Sequence, residues 1–375
     1  VRLFESKWSE KLQVDYSVSV NSATTGLVTA LLSLDLEPGS EVITTPFSFT
    51  ATSAAIVLAG CVPIFCDIDP ETFCLSPKIL KETITDKTKC VIAVHWCGNA
   101  GDFEEIVEIC KSRNIKLVED SAQAPLTMYK GKHLGCWGDI GVFSFNEPKN
   151  MMTGEGGMLV TDNAYYAKKA RLIRNHGEAI MDDEDSNKEI MNIVGSNYRL
   201  TELQAAIGTV QTSKIDYLNS LRNKNYLHLR NEFESLHCDF ITPQRITHLE
   251  SFSAYTAAFR WNSKDSGVHR DVILEAFIAE GIPAFKGYPR LMSNQPMNER
   301  KIGFGSKPWS NKNDKHMHNA KFLVDQEFIG FFLMGWPNKQ KDINQIVSAF
   351  KKIINSLEDL KKYELKNRDF ILGRK

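Results

Sequence analysis

The feature that most constrains this chain is a series of short, almost continuously apolar runs between Tyr16 and Thr161, spaced by amphipathic stretches. The runs are Tyr16–Asn21, Glu41–Thr45, Val62–Cys66, Cys90–His95, Ile115–Glu119, Ile140–Phe145 and Met158–Thr161. Most are too short and too continuously apolar for a sheet with one wet face, so they read as buried strands. Between them, Thr25–Leu34, Ala51–Leu58 and Asp102–Ser112 carry helical patterns. Asp102 stands three residues before Glu105, which predicts an N-cap with a capping box. Strand and helix in alternation predict an α/β domain with a mostly parallel sheet.

Beyond Thr161 the pattern changes. Asp182, Asp183, Glu184, Asp185, Asn187 and Lys188 read as a solvated loop. Thr201 to about Phe233 reads as one long helix. The remainder fits a smaller α+β domain closed by an amphipathic helix from about Ile343 to Leu360, with a basic, peripheral tail from Lys361 to Lys375. A length of 375 residues favours two domains, and the division expected is 1–235 and 236–375. The chain opens at Val1 directly in a helical pattern (Leu3, Phe4, Trp8, Leu12), as expected of a fragment or processed start that lacks an N-terminal arm.

A formal net charge of -1 gives no electrostatic case for nucleic acid or an anionic membrane surface. The most apolar stretch, Ser53–Cys66, is too short to span a bilayer and contains Gly60 and Pro63. No charged-then-apolar secretion segment opens the chain. The eight cysteines are scattered with no CxxC pair, which predicts free thiols in a reducing cytoplasm.

Several residues fall where chemistry is possible. Lys149 follows the strand Gly141-Val-Phe-Ser-Phe145 and precedes Thr153-Gly-Glu-Gly-Gly157, so a long amine sits at a strand end with glycines allowing a tight return. Partial desolvation there lowers an amine's pKa and aids imine formation. Alone, it also reads as a turn lysine. Asp120 ends the run Ile115-Lys-Leu-Val-Glu-Asp120, at the carboxyl edge where open α/β sheets bind ligands; alone, it reads as a helix cap. Gln123 lies three residues on. The segment Val20-Asn-Ser-Ala-Thr-Thr-Gly26 joins a strand to a helix, and its small residues let backbone N–H groups and the Thr24 hydroxyl close on a phosphate; alone, it also reads as a plain turn capped by Ser or Thr. Ser144 can add another hydroxyl. Phe49, at a second strand end, can stack on a ring or belong to the core. A lysine, an acid, a phosphate cup and an aromatic plate are together what a pyridoxal-5′-phosphate (PLP) enzyme requires.

In order, Ser22-Ala-Thr-Thr-Gly, Thr45-Pro-Phe-Ser-Phe-Thr-Ala-Thr, Val118-Glu-Asp-Ser-Ala-Gln-Ala, Gly138-Asp-Ile-Gly-Val-Phe-Ser-Phe, Lys149-Asn with Gly154-Glu-Gly-Gly, and Asn197-Tyr-Arg-Leu-Thr-Glu-Leu-Gln-Ala-Ala-Ile-Gly resemble the DegT/DnrJ/EryC1/StrS sugar aminotransferases. The resemblance runs from the first residues to about Phe350. It implies an α/β enzyme of PLP-dependent transferase fold type I: a large domain with a mostly parallel sheet, plus a smaller α+β C-terminal domain. It also implies a homodimer with active sites at the subunit interface. By the same resemblance Lys149 carries PLP as a Schiff base, Asp120 pairs with the pyridine nitrogen, Gln123 lies beside the ring hydroxyl and Phe49 stacks on the ring. Ala23, Thr24 and Ser144 match the phosphate cup, which Asn197 completes from the partner chain, and Arg199 matches a cross-subunit ligand contact. The implied reaction takes an amino group from glutamate or glutamine to a ketonic or aldehydic sugar-like acceptor.

One stretch departs from the family's pattern. Where members acting on nucleotide-linked hexoses carry a tyrosine and a histidine, this chain has Gly287-Tyr-Pro-Arg-Leu-Met292, with Met292 in the histidine's place. Phe328-Ile and Phe332-Leu-Met-Gly resemble the branch that aminates cyclitols. Tyr288 is an acceptor-side candidate here, and Arg290 and Lys286 can hold an anionic acceptor or read as two solvated surface charges. The rival readings are weaker. A PLP-dependent sugar dehydratase replaces the lysine that Lys149 retains. A dinucleotide-binding oxidoreductase needs a G-x-G-x-x-G after the first strand, and none is present. A catalytically silent scaffold would not be expected to keep Lys149, Asp120 and the cup together. No metal site is expected, because His316-Met-His318 and Asp67-Ile-Asp69 are isolated pairs that read as surface polar residues.

Overall fold

The computed structural model describes residues 1–178, 193–248, 252–301 and 317–371. The acidic run at 182–188 and His316 lie outside them. The chain begins with α1 (Arg2–Leu12), β1 (Tyr16–Val20), α2 (Ala23–Ser33), β2 (Glu41–Thr44), α3 (Ala51–Leu58), β3 (Val62–Phe65), α4 (Pro77–Thr83), β4 (Thr88–Val94), α5 (Phe103–Ser112) and β5 (Lys116–Asp120). A two-strand ribbon, β6 (Met128–Tyr129) and β7 (Lys132–His133), precedes β8 (Ile140–Ser144), β9 (Gly157–Thr161) and α6 (Ala164–Arg174).

All of the expected runs form strands of a single sheet, ordered β1-β9-β8-β5-β4-β2-β3. β8, β5, β4, β2 and β3 are parallel, while β9 runs antiparallel to both β1 and β8. Adjacent strand residues serve different cores. Val42, Ile92 and Val118 pack with Leu27, Leu31 and Ile56, whereas Ile43, Val91 and Leu117 pack with Leu80, Phe103 and Ile106. Burial on both faces is why these strands show no polar alternation.

After the large sheet come α7 (Glu202–Thr212) and α8 (Ile215–Ser235), then β10 (Ile241–Pro243), β11 (Ala257–Trp261), α9 (Ser263–Ser266), α10 (Arg270–Ala279), β12 (Ala284–Phe285), α11 (Pro296–Glu299), α12 (His318–Phe322), β13 (Phe328–Phe331), α13 (Gln340–Asn355) and α14 (Leu357–Ile371). The second sheet is antiparallel, ordered β10-β11-β13-β12. Its core joins Phe259, Trp261 and Phe331 to Tyr226, Leu229 and Phe233 of α8 and to Phe350 of α13.

Four local expectations are corrected. The helix expected over 201–233 is two helices: the backbone N–H groups of Ser213 and Lys214 turn back onto Val210 and Gln211, ending α7. The closing helix stops at Asn355 and a further helix carries the tail to Ile371. Asp102 occupies the N-cap of α5 without a side-chain cap; its carboxylate instead accepts from Arg245 Nη2 at 3.3 Å. Asp67 is not a surface residue. It is buried, and its carboxylate accepts from the backbone nitrogens of Ile68, Asn319 and Ala320 at 2.7–2.9 Å. It thereby caps α12, and Asp67→Ala leaves two buried donors and one half-buried donor without this acceptor. That substitution is expected to cost about 3 kcal/mol, read as a lowered urea midpoint at unchanged slope.

Candidate active site

β4, β5 and β8 end side by side, with Val94 opposite Asp120 and Asp120 opposite Val142. The last two residues of β5 point to opposite faces, and both are acids. Glu119 is fully buried. Its carboxylate accepts from the backbone nitrogens of Gly135 (2.6 Å), Trp137 (2.6 Å) and Gly138 (2.7 Å), and meets His95 Nε2 at 2.8 Å. This set fixes the loop before β8 and the residue that follows β4. Sequence reasoning passed over Glu119 as one more residue of a buried run; a charged residue inside such a run was the available signal.

Asp120 is 6% exposed. Its carboxylate accepts from Thr52 Oγ1 at 2.9 Å and from the Ala122 nitrogen at 3.2 Å. Burial raises its pKa, opposed by the hydrogen bonds from Thr52 and Ala122 and by the charges of Lys149 and His95.

After β8 the chain forms a loop closed at its base, where the Phe145 nitrogen donates to Gly156 O (2.9 Å) and the Thr153 nitrogen to Phe145 O (2.8 Å). Lys149 sits on this loop, half-buried. Burial lowers its pKa, opposed by the negative charge of Asp120. Its Nζ lies 4.6 Å from the centroid of the Tyr255 ring, a residue that the sequence did not mark. The structure thus brings Lys149 and Asp120 into one electrostatic environment.

Gln123 joins them. Its Oε1 accepts from the Cys97 nitrogen at 2.8 Å, and its Nε2 donates to Tyr288 Oη at 3.3 Å. Tyr288 is thereby drawn in from the segment after β12, and burial pushes its hydroxyl pKa up. Phe49 stands at the same sheet edge and is 65% exposed. Its carbonyl accepts from the nitrogen of Thr52, the residue that also holds Asp120.

Gly157 pairs with Val20 on one side and Ser144 on the other, so Ser144 and the start of α2 flank it. A methyl group at Gly157 would lie 2.6 Å from the Ala23 nitrogen. Only glycine lets β9 pass that close to the helix end. Ser22 caps α2 by accepting from the Thr25 nitrogen at 3.2 Å, while the N–H groups of Ala23 and Thr24, in the first turn, have no helical acceptor.

The remaining candidates lie elsewhere. Asn197 and Arg199 are exposed; Asn197 bridges Asn175, and Arg199 Nη1 donates to Asn175 Oδ1 at 2.8 Å. Arg290 is exposed and lines a cavity of about 240 Å³ with Leu291, Glu299 and Lys321. Lys286 is exposed as well. Met292 is fully buried, its nitrogen donating to Pro46 O at 2.8 Å. Among the described residues no cluster of His, Cys, Asp or Glu is suited to a metal ion, and no helix is long and apolar enough to cross a membrane.

The family model described as the DegT/DnrJ/EryC1/StrS aminotransferase family matches residues 1–318. A GDP-perosamine synthase from Escherichia coli O157:H7 is 38% identical over 216 residues, covering 58% of this chain and 58% of that protein. The chain therefore spans less than two thirds of that relative's length. A putative L-glutamine:3-amino-2,3-dideoxy-scyllo-inosose aminotransferase from Streptoalloteichus tenebrarius is 29% identical over 378 residues, 96% of this chain and 88% of that protein. Among solved structures, NtdA from Bacillus subtilis with bound cofactor PMP superposes with a TM-score of 0.81 at 25% identity, covering 94% of this chain and 77% of that one.

The Glu119 cluster yields a stability prediction. Glu119→Gln keeps the size of the side chain but turns an amide N–H₂ toward donors, so it is expected to cost about 2–3 kcal/mol, measured by urea unfolding. An unchanged midpoint would show that the loop before β8 does not depend on this carboxylate.

Proposed function

This chain belongs to the DegT/DnrJ/EryC1/StrS aminotransferase family, and from that premise we propose that it is a PLP-dependent aminotransferase of amino-sugar biosynthesis. The donor is glutamate or glutamine, and the acceptor is a keto or aldehyde group on a sugar or cyclitol-like ring. The single observation that carries this reading is the pairing of a desolvated amine, Lys149, with a buried acid, Asp120, at the carboxyl edge of the sheet.

The residues fit PLP. Thr52 and Ala122, the partners of Asp120, are neutral, which leaves its charge to meet a protonated ring nitrogen. The first turn of α2, approached closely by Gly157, makes a cradle for a phosphate with Ala23, Thr24 and Ser144 at its rim. Phe49 offers a ring face, and Gln123 is held in place by Cys97 and Tyr288. When bound, PLP supplies an aldehyde for imine exchange and a ring that withdraws electrons from the substrate carbon. Lys149 holds the cofactor and, once released, carries the proton at Nζ. A proton carrier must be neutral to accept, so its lowered pKa increases the competent fraction near pH 7, and turnover falls as the pH drops through that pKa. Asp120 keeps its charge on the ring side.

On the acceptor side, likeness to an inosose aminotransferase over nearly the whole chain, together with Met292 in the core, favours a cyclitol-like ring. The alternative, a nucleotide-linked keto-deoxyhexose, is supported by the higher identity to a GDP-perosamine synthase over a shorter stretch. Tyr288, beside Gln123, and Arg290 are the acceptor-side residues. We divide the chain into a cofactor-binding domain, 1–235, and a smaller domain, 236–375. Eight free cysteines fit a reducing cytoplasm.

The proposed assembly is a homodimer. Leu203, Ile207 and Val210 form one face of α7 and are 81%, 47% and 53% exposed, while Ala205, Gly208 and Thr212 on the other face are buried. Asn197 and Arg199 lie just before this helix and are carried by it toward the partner's cup. Leu203→Glu with Ile207→Glu is expected to give a monomer in light scattering; a persistent dimer would remove α7 from the interface.

The catalytic reading is tested by absorbance. Wild-type protein mixed with PLP is expected to develop the visible band of lysine-bound cofactor and lose it on adding glutamate or glutamine. Lys149→Ala is expected to develop no such band. Asp120→Ala is expected to bind PLP but convert it roughly 10²–10³-fold more slowly, the range for loss of one charge-stabilising group. Full-rate conversion by that variant would end the role given to Asp120.

A further inference from the structure

The amine of Lys149 rests on a ring whose position is fixed from several directions. Asn150, the next residue, is 4% exposed and directs Nδ2 at Asn219 Oδ1 (2.9 Å), Ser253 Oγ (3.0 Å) and the Ala254 carbonyl (3.4 Å). Its orientation is determined: Asn219 uses its own Nδ2 on Pro125 O at 2.9 Å, so its Oδ1 must accept from Asn150. In that orientation Asn150 Oδ1 is buried with no hydrogen-bond partner, a penalty that native structures carry at few places. Asn223 of α8 brackets the same segment, donating to the Phe252 carbonyl and accepting from the Ala254 nitrogen at 2.9 Å. Gly98 allows the segment to come close, since a methyl there would lie 2.3 Å from Ser253 O. Phe332 then meets the Tyr255 ring edge-on at 5.8 Å.

Taking Lys149 as the cofactor lysine, we propose that Tyr255 is a positioning residue for the reactive amine: its ring face seats the Lys149 ammonium and sets the pH range over which the neutral amine is released. Asp120 on β5, Cys97 in the turn after β4 and Tyr255 itself face Lys149, and Arg222 of α8 stands behind, donating to the Tyr255 carbonyl at 3.1 Å. Burial pushes the Tyr255 hydroxyl up to about 12 and holds the Cys97 thiol well above its usual range. Both therefore stay neutral near pH 7, and Tyr255 acts on the ammonium through its ring quadrupole rather than as a phenolate. Asp120 stabilises the ammonium by charge; Tyr255 does so by contact, and its ring can be removed with no change in charge.

The test uses apo-protein mixed with PLP across a pH series, reading the rate at which the visible band of lysine-bound cofactor appears. That rate rises as the amine loses its proton. Removing a group that stabilises the ammonium lowers the amine pKa, so Tyr255→Leu is expected to move the midpoint to lower pH by about one unit. Tyr255→Phe keeps the ring face and is expected to stay within about 0.3 unit of wild type. An unmoved midpoint in Tyr255→Leu overturns the inference, as does a shift in Tyr255→Phe equal to that of the leucine variant. If circular dichroism finds the leucine variant unfolded, Tyr255→Met takes its place with the same expectations. Lys149→Ala separates the two levels. A band that survives in it refutes Lys149 as the cofactor lysine, whereas its loss together with an unmoved leucine variant refutes only the role of Tyr255.

Discussion

Glu119 has no solvent, so every partner of its carboxylate must come from the protein. Three backbone N–H groups from one loop and the His95 ring fill that requirement. The bonds cross from β5 to the end of β4 and to the approach of β8, the three neighbouring strands whose ends frame the site. His95 is held from a second side by the edge of the Phe103 ring at 4.6 Å, and its backbone nitrogen donates to Asp120 O at 3.1 Å. Strand alternation then turns Asp120 to the opposite face, into the space toward Lys149. A saturated acid on one side of the sheet thus fixes an unsaturated one on the other.

That division of labour matters because burial acts against the charge of both candidate groups, Asp120 and Lys149. Desolvation raises the pKa of Asp120 and lowers that of Lys149, so burial pushes both toward neutrality. Their mutual attraction and the Thr52 and Ala122 hydrogen bonds push back.

The large sheet is legible in the sequence because strands buried on both faces leave continuous apolar runs, and the placement of Asp120, Gln123 and Lys149 at one edge of it follows from their position at or just after the ends of β5 and β8. What failed to show has a common cause. The break between α7 and α8 carries no glycine or proline, and apolar periodicity continues through Leu218 and Leu221. Asp102 has every local feature of a capping residue, yet Arg245, distant in sequence, competes for its carboxylate. Tyr255 meets Lys149 across the whole of α7 and α8, a distance that no local pattern records. Asp67 reads as a polar surface residue until α12, far along the chain, supplies its donors. Local propensity carried the elements; long-range polar contacts did not announce themselves.

α8 resolves how those distant parts are kept in register. At its start Ile215 packs with Phe145 and Met151, which flank the loop of Lys149. One turn on, Asn219 holds Asn150, and one further turn on, Asn223 holds the segment leading to Tyr255. Asn225 donates to the carbonyls of Met334 (2.8 Å) and Asn338 (3.1 Å), and from Tyr226 to Phe233 the helix enters the core of the second sheet. A single 21-residue helix therefore measures out the separation between the lysine loop, the ring beneath it and the second core. Because helical rise is fixed at about 1.5 Å per residue, a shift of the second sheet along this helix cannot leave Tyr255 where it is while Lys149 stays in place.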